Sequence, residues 1–532
     1  MNIQHLEYKN TSLFSKLVLD YLDSKDNLKD LYHNQPSIAG FGRQIKEKEP
    51  FFNPSKRILL HQTLINQYKG FETSPETQKN IDLLLQPTTF SICTGHQLNL
   101  AAGHLYTIYK ISNTIKVSRE LKKAYPDHHF VPVFWLASED HDFLEINHID
   151  LDGTKIEWHT DQKGAVGAFH LGDIDGFVEA VCGALGSSTN ASMLKKMLKN
   201  AYLKHENLSL ATRFFINALF KEYGLIILDS NCKALKNELK TVIKQEIFEQ
   251  TTHHNLSLTN DFLTKNGYHL QVSPREINFF YLKNQFRERI IKKNDLFTTP
   301  NNDFTFTPAE LMQEIDCFPE RFSPNVLLRP LYQEMVLPNL AVVGGGGELA
   351  YWLQLKQNFD VFGVPFPILM LRNSVLWLDK KTQRQMQKLK INTLDALFLS
   401  QDQWTKRFIL DQNQPLFDLG EAQDLSRQLF DVLAHKAQQI DPSLVGASAA
   451  RFKKMQHLMD SLVEKMKRSH KKKYVQEIEM FHGLRANIFP KGVFQERIQN
   501  FMPYYLVFGP KWIEACVEKI NPFEQQMTVV SI

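Results

Sequence analysis

The sequence predicts an α/β protein: a core built on a parallel sheet, followed by an α-helical antiparallel coiled coil. Three observations carry that expectation. Before Asp379, short apolar runs recur, and each stops abruptly at polar or glycine-rich residues. Apolar residues at helical spacing join the first two of those runs. Beyond Asp379 glycines become scarce, and Gln, Lys, Asp and Leu dominate.

Each element follows from its residues. "FSIC" (90–93) is a strand that ends at Thr94-Gly95, and Leu105, Ile108, Ile111, Ile115 and Leu121 mark the helix after it. "FVPVFWLA" (130–137) is the continuous apolar run of a strand buried on both faces, and it stops in "SEDHD". Strand, helix and strand in this order make a βαβ unit, which requires a parallel sheet. "YGLIILDS" (223–230), "LAVVGGGGE" (340–348) and "FPILMLR" (366–372) supply further strands. Residues 1 to about 85 read as helical and polar, and about 150–220 and 250–300 as insertions decorating the sheet. Phe452, Met455, Met459, Leu462 and Met466 repeat at the spacing of a coiled-coil seam, with Leu425, Leu429 and Val432 on a facing helix. The expected division is a core over 1–379, a coiled coil over 380–482 that could dimerise, and a return to the core over 483–532.

Composition narrows the function. With 62 basic and 58 acidic side chains in 532 residues, the near-balance gives no electrostatic case for nucleic acid as the main partner. The run "KMKRSHKKKY" (465–474) reads as a solvated helix face. Cys93, Cys182, Cys232, Cys317 and Cys516 lie far apart with no metal-ligand spacing, so no structural metal or disulfide framework is expected. No apolar run spans a bilayer and the N-terminus has no signal architecture, so the expected location is cytoplasmic and away from membranes.

In an open parallel α/β sheet, ligands bind beyond the carboxyl ends of the strands. Those ends here are Thr94-Gly95-His96-Gln97, Ser138-Glu139-Asp140-His141-Asp142, Asp229, Gly344 to Glu348, and Arg372. Glycine there permits close ligand approach, and the next helix offers free N–H groups and a positive dipole end to an anion. His104, near such a helix start, could hydrogen-bond a phosphoryl oxygen. The carboxylates of "SEDHD" could hold Mg²⁺ on a nucleotide, orient an amine or act as a base. "VVGGGGELAYW" lacks the Lys-Ser/Thr of a P-loop, yet four glycines between strand and helix suit a passing anion. Arg329 is a candidate clamp for a phosphate or carboxylate. No nucleophile elbow, zincin helix or Cys-His cluster is present.

Longer blocks carry a resemblance. "TGHQLNLAAGHLYTIYKISNTIK", "VPVFWLASEDHDFLEINHI", "GYHLQVSPREINFFYL", "SPNVLLRPLYQEMVLPNLAVVGGGGELAYWLQLK" and "NIFPKGVFQERIQNF" resemble the BshC family, the candidate cysteine ligases of bacillithiol biosynthesis. The resemblance implies a Rossmann-like core with connecting insertions, similar to class I aminoacyl-tRNA synthetases and other nucleotidyltransferases. It also implies a coiled coil that mediates homodimerisation. The implied reaction joins L-cysteine to the amine of glucosaminyl-malate, with ATP, and Mg²⁺ alongside it, activating the carboxyl group. "AAGH" (101–104) is similar to the HxGH signature of that superfamily with Ala101 in place of its first histidine, and the lysine-rich KMSKS partner is missing. The resemblance then implies that Gly95, His96, Gly103 and His104 line the nucleotide phosphates, with Thr94 and Gln97 beside them. Glu139, Asp140 and Asp142 would bind the cysteine ammonium, the sugar or Mg²⁺, and His141 would be the base for the attacking amine. Gly344, Gly345, Gly346, Gly347 and Glu348 would close the opposite wall, with Arg329 free for an anionic group such as malate. Two other readings fit the same motifs: a nucleotidyltransferase-like enzyme on another amino-sugar or thiol, and a non-catalytic nucleotide-binding scaffold.

Overall fold

The computed structural model describes residues 2–532, apart from the side chains of residues 413–416. Two compact units form: residues 3–376 with 493–530, and residues 377–492 with the chain ends.

Five parallel strands make the core sheet of the first unit: β1 (Thr89–His96), β2 (His129–Leu136), β3 (Ile226–Asp229), β4 (Asn339–Gly344) and β5 (Ile368–Leu371). Their order is β3-β2-β1-β4-β5. The chain builds outward from β1 on one side and then returns to its other side, so β1 and β4 meet at the topological switch point of a Rossmann-like sheet. Gly95 pairs with Trp135, Leu136 with Asp229, and Gly344 with Leu371, which aligns the carboxyl ends along one edge.

The apolar runs form strands because helices cover the sheet. β1 is buried from Thr89 to Thr94, and β2 from Phe130 onward. The helix α1 (Leu105–Ala124) joins them and packs on both; Leu105, Ile108, Ile111, Ile115 and Leu121 are all buried, as their spacing requires. Phe41 and Ile45 of the helix Ile38–Phe51 complete a core with Phe90, Ile92, Leu340 and Ile368. Two further helices flank β4: α2 (Arg329–Val336) leads into it and α3 (Gly346–Gln354) leaves it.

The stretch 150–220 holds a short hairpin and three helices, Asp175–Ala184, Thr189–Tyr202 and Leu208–Phe220. After β3 come helices and an antiparallel sheet of Phe279–Lys283, Phe286–Arg289 and Phe322–Pro324. That small sheet is more than decoration, because it carries side chains into the cleft described below.

In the second unit, α4 (Gly420–Ile440) and α5 (Leu444–Lys471) pack as an antiparallel hairpin. Phe430 stacks on Phe452 with ring centroids 4.6 Å apart. The seam on α5 is Phe452, Met455, Met459 and Val463, so it departs after Met459 from the sequence expectation; Leu462 and Met466 stay exposed. On α4 the half-buried residues are Ser426, Phe430, Ala434 and Ala437, whereas Leu425, Leu429 and Val432 face outward. Both helices therefore carry an apolar stripe outside their own seam. No helix among the described residues is long and apolar enough to cross a membrane.

Candidate active site at the sheet switch point

Beyond the carboxyl ends of β1, β2 and β4 opens a cleft of about 740 Å³, lined entirely by residues of the first unit. Gly95, His96, Gln97, Glu139, Asp140, His141, Asp142, Arg329, Gly345, Gly347 and Glu348 all line it. Strand register brings them together: Gly95-His96 and Ser138 to Asp142 end adjacent strands, and Gly345 follows the strand on the other side of β1.

Ser138 and Arg372, also at strand ends, line the cleft as well, whereas Thr94, Gly103, His104, Gly344 and Gly346 do not. Thr94 donates its hydroxyl to the Val343 carbonyl at 2.7 Å, tying β1 to β4. Gly344 belongs to β4, and its carbonyl accepts from Arg372 N–H at 2.8 Å. Gly346 packs against Phe14, whose Cδ1 would stand 2.4 Å from an added Cβ. The "AAGH" turn is sealed by protein rather than open to a ligand. Ala101, Ala102 and Gly103 have φ of 48°, 63° and 62°, a left-handed run that costs alanine roughly 1–2 kcal/mol per residue. Asn500 holds the run by donating to the carbonyls of Ala101 (3.1 Å) and Gly103 (2.6 Å). Leu105 N–H, at the start of α1, donates to the Gln499 carbonyl at 2.8 Å, and His104 Nδ1 lies 3.2 Å from the Ile498 carbonyl. The polar groups expected to meet phosphate at His104 and Gly103 are thus taken by the returning C-terminal segment, and neither residue lines the cleft.

Charge at the switch point is closely paired. Lys110, on the second turn of α1, reaches the Gly95 carbonyl and both oxygens of Glu348, at 2.9 and 2.8 Å. Glu348 in turn accepts from Gly345 N–H at 2.8 Å, capping α3 with its own carboxylate. Burial pushes Glu348 up, but Lys110 and the Gly345 N–H outweigh it and hold the carboxyl below its usual value. Arg372 donates to Glu496 at 2.7 Å and to the Asn373 carbonyl at 3.1 Å, while its buried Nε has no partner. Arg329 reaches only neutral groups, Gln333 at 3.0 Å and Tyr351 at 3.5 Å, and has no ion-pair partner among the described residues. Of Lys110, Arg329 and Arg372, two are paired with carboxylates and Arg329 is not, leaving its charge for a ligand to balance. His96 cannot add to it: burial first, then Lys110, His104 and Arg372, hold its pKa well below the usual imidazole range.

The second wall is more acidic. Glu139 pairs with the buried Lys236, which also donates to the Phe322 carbonyl at 2.8 Å. Asp140 accepts from Gln97 at 3.0 Å and lies 4.0 Å from Arg287. Arg287 also donates to His141 Nδ1. An arginine can only donate, so Nδ1 is the acceptor and Nε2 carries the proton. In this arrangement His141 offers a donor to the cleft, not the lone pair that a base requires. Asp142 is left as the carboxylate of this turn with no Lys or Arg within ion-pair distance among the described residues.

Several cleft residues were missed in the sequence. Arg275, Arg287 and Arg289 come from the segment read as an insertion, and Arg497 from the C-terminal return. Lys110 and Lys236, which pair with the cleft residues Glu348 and Glu139 without lining the cleft themselves, lie in helices, where a lysine ordinarily signals a solvated face. The signals available were the blocks "GYHLQVSPREINFFYL", which holds Arg275, "NIFPKGVFQERIQNF", which holds Arg497, and "TGHQLNLAAGHLYTIYKISNTIK", which holds Lys110, but none says where its side chain points. Among the described residues no cluster of three or more His, Cys, Asp or Glu could hold a metal ion.

Fold and cleft together define a Rossmann-like enzyme-type core with an anion-seeking switch point, followed by a coiled coil. The chain belongs to the BshC family: residues 1–373 match the "Bacillithiol biosynthesis BshC, N-terminal Rossmann-like domain" and residues 375–532 the "Bacillithiol biosynthesis BshC, C-terminal coiled-coil domain". It is 41% identical over 526 residues to a Flavobacterium psychrophilum protein, covering 99% of this chain and 98% of that one. It is 39% identical over 527 residues to one from Flavobacterium johnsoniae, covering 99% of each. A Cytophaga hutchinsonii protein is 35% identical over 521 residues, covering 98% of this chain and 97% of that one. All three bear the name BshC and are designated candidate cysteine ligases.

Proposed function

We propose that this chain is a ligase that forms the amide bond between the carboxyl group of L-cysteine and the amine of glucosaminyl-malate, in the last step of bacillithiol biosynthesis. The observation that carries the reading is the switch-point cleft, lined both by Arg329, without a carboxylate partner, and by Asp142, without a Lys or Arg partner, among the described residues. An anionic group and an ammonium group are the two ends such a cleft separates, and the substrates offer both. The designation of the relatives as candidate cysteine ligases supports the same reaction.

Joining a free carboxylate to an amine is uphill in water, so the reaction is coupled to ATP, with Mg²⁺ accompanying the nucleotide. The donor set suits its phosphates: Arg329, Arg372, the space beside Gly345 and the open Gly347. Asp142 takes the proton of the attacking ammonium, since it is the carboxylate of its turn without a Lys or Arg partner. His141, with Nε2 protonated, and Arg287 orient the acyl oxygen. Glu139, fixed by Lys236, accepts from a substrate ammonium or hydroxyl.

Purified protein mixed with cysteine, glucosaminyl-malate and Mg-ATP tests this, with products followed by mass spectrometry. Bacillithiol with AMP supports activation as an adenylate, and bacillithiol with ADP an acyl phosphate. Bound nucleotide without bacillithiol would discard the ligase reading. The outward apolar stripes on α4 and α5 support a homodimer formed through the coiled coil, and the reaction's substrates suit a cytoplasmic enzyme.

A further inference from the structure

Gly95 and Gly345 end neighbouring strands, and neither needs to be glycine for its backbone. Gly345 has φ −78° and ψ 171°, open to any residue, and Gly95 is absent from the residues with positive φ. A Cβ built on either would meet only ordinary contacts. On Gly95 it would stand 3.4 Å from Trp135 Cβ and 3.7 Å from Arg329 Nη1; on Gly345, 3.6 Å from Glu348 Oε2 and 3.8 Å from Arg372 Nε. Each missing methyl therefore leaves open a space beside an arginine nitrogen. One of those nitrogens, Arg372 Nε, is a buried donor without a partner, a costly state for a charged group. Both arginines line the same cleft, and Gly95 and Gly345 lie at the carboxyl ends of adjacent parallel strands, so the two spaces lie side by side.

Each arginine is also braced from behind. Gln333, buried, donates its Nε2 to Glu334 Oε1 at 3.0 Å, which forces its Oε1 toward Arg329. Glu334 is itself fixed by Lys48 at 3.3 Å, an ion pair with both side chains at 0% exposure, and by Asn339 at 2.6 Å. Behind Arg372, Glu496 accepts from the guanidinium on one oxygen, shared with Ser374 Oγ at 3.1 Å, and from Val375 N–H on the other at 3.3 Å.

We infer that Arg329 and Arg372 bracket a single oxyanion subsite at the switch point, kept open by Gly95 and Gly345, with Gln333 and Glu496 as positioning residues. The ligand group is an oxyanion, a carboxylate or a phosphoryl oxygen. The inference rests on reading this cleft as the substrate site, but not on the identity of the reaction. Glu496 gives the C-terminal return a task in it, four residues beyond the end of the coiled-coil unit at Gly492.

Isothermal titration of the full chain with sodium L-malate, AMP and inorganic pyrophosphate tests the subsite. We expect at least one probe to bind wild type and to bind Gly345→Ala and Gln333→Met about tenfold more weakly, with the melting temperature of Gly345→Ala unchanged and both variants folded at the titration temperature. Malate as that probe assigns the subsite to the acceptor's carboxylate, and AMP or pyrophosphate to the nucleotide. Gln333→Met combined with Arg329→Lys should lose no more than the weaker-binding single variant, because a positioning residue acts through its arginine; independent losses would mean a general structural role. If Glu496→Gln fails to fold, Glu496→Asp replaces it in the same cycle with Arg372→Lys. Binding by Gly95→Ala and Gly345→Ala equal to wild type, or no binding of any probe to wild type, overturns the inference. A protein that binds a probe in this arginine-dependent way but makes no bacillithiol keeps the subsite and loses the proposed function. Bacillithiol made normally by Gly345→Ala and Gln333→Met does the reverse.

Discussion

An imidazole that accepts a hydrogen bond from arginine is committed to one tautomer, and His141 is in that position. Loss of a general base costs about 10²–10⁴ in rate. His141→Gln keeps a donor in place and should lower kcat less than about tenfold, whereas Asp142→Asn should fall in the 10²–10⁴ range; the mass-spectrometric assay separates the two. His96 makes a second prediction, about pH. Its folded pKa lies well below that of the unfolded chain, and His104 is shifted down with it by burial. Below about pH 6.5, the unfolded value, the unfolded state binds protons that these folded imidazoles refuse, so stability is full above that pH and falls as pH drops toward the folded values. Melting temperature should decline from pH 7.5 to 5.5, and His96→Phe should flatten that decline. An unchanged slope in the variant would assign the loss to other groups.

Consecutive glycines before α3 do different work, which their residue type alone cannot reveal. Gly346 is packed against Phe14, and an added methyl would lie 2.4 Å from its ring. Gly346→Ala should therefore cost about 1–3 kcal/mol through forced repacking. Gly347 has nothing within 4 Å of an added Cβ, and Gly347→Ala, in a helical first turn, should leave stability the same or raise it by about 0.5–1 kcal/mol. Chemical denaturation of both variants decides the matter, and equal losses would refute the contrast. At the same scale, α1 keeps its predicted face but loses its predicted role. Its first N–H, that of Leu105, is met by the Gln499 carbonyl, and Thr107 N–H by the His104 carbonyl, whereas the proposed oxyanion subsite uses the arginines at the β1–β4 ends.

For the molecule as a whole, the coiled-coil hairpin leaves Leu429 and Leu462 55% and 59% exposed, on stripes that its own seam does not use. Apolar stripes of this kind are covered in coiled-coil assemblies. Light scattering should give a dimer for the wild-type chain and a monomer for Leu429→Glu/Leu462→Glu with its helix content intact. A wild-type monomer would remove the homodimer from the proposal.

Local pattern determined much of this protein. The strands at 90–93, 130–137, 223–230, 340–348 and 366–372 were legible because a parallel sheet covered by helices demands continuous apolar runs, and α1 because its five spaced apolar residues had to be buried together. The polar strand ends were legible too, since ligands gather there, and twelve of the residues at those ends line one cleft. What only the tertiary structure decided depends on partners distant in sequence. The bond from Asn500 to the "AAGH" turn, the tautomer that Arg287 imposes on His141, and the bracing of Arg372 by Glu496 each join segments more than a hundred residues apart. Periodicity holds no record of such contacts, because burial and charge pairing are properties of what the fold brings together and not of neighbours along the chain.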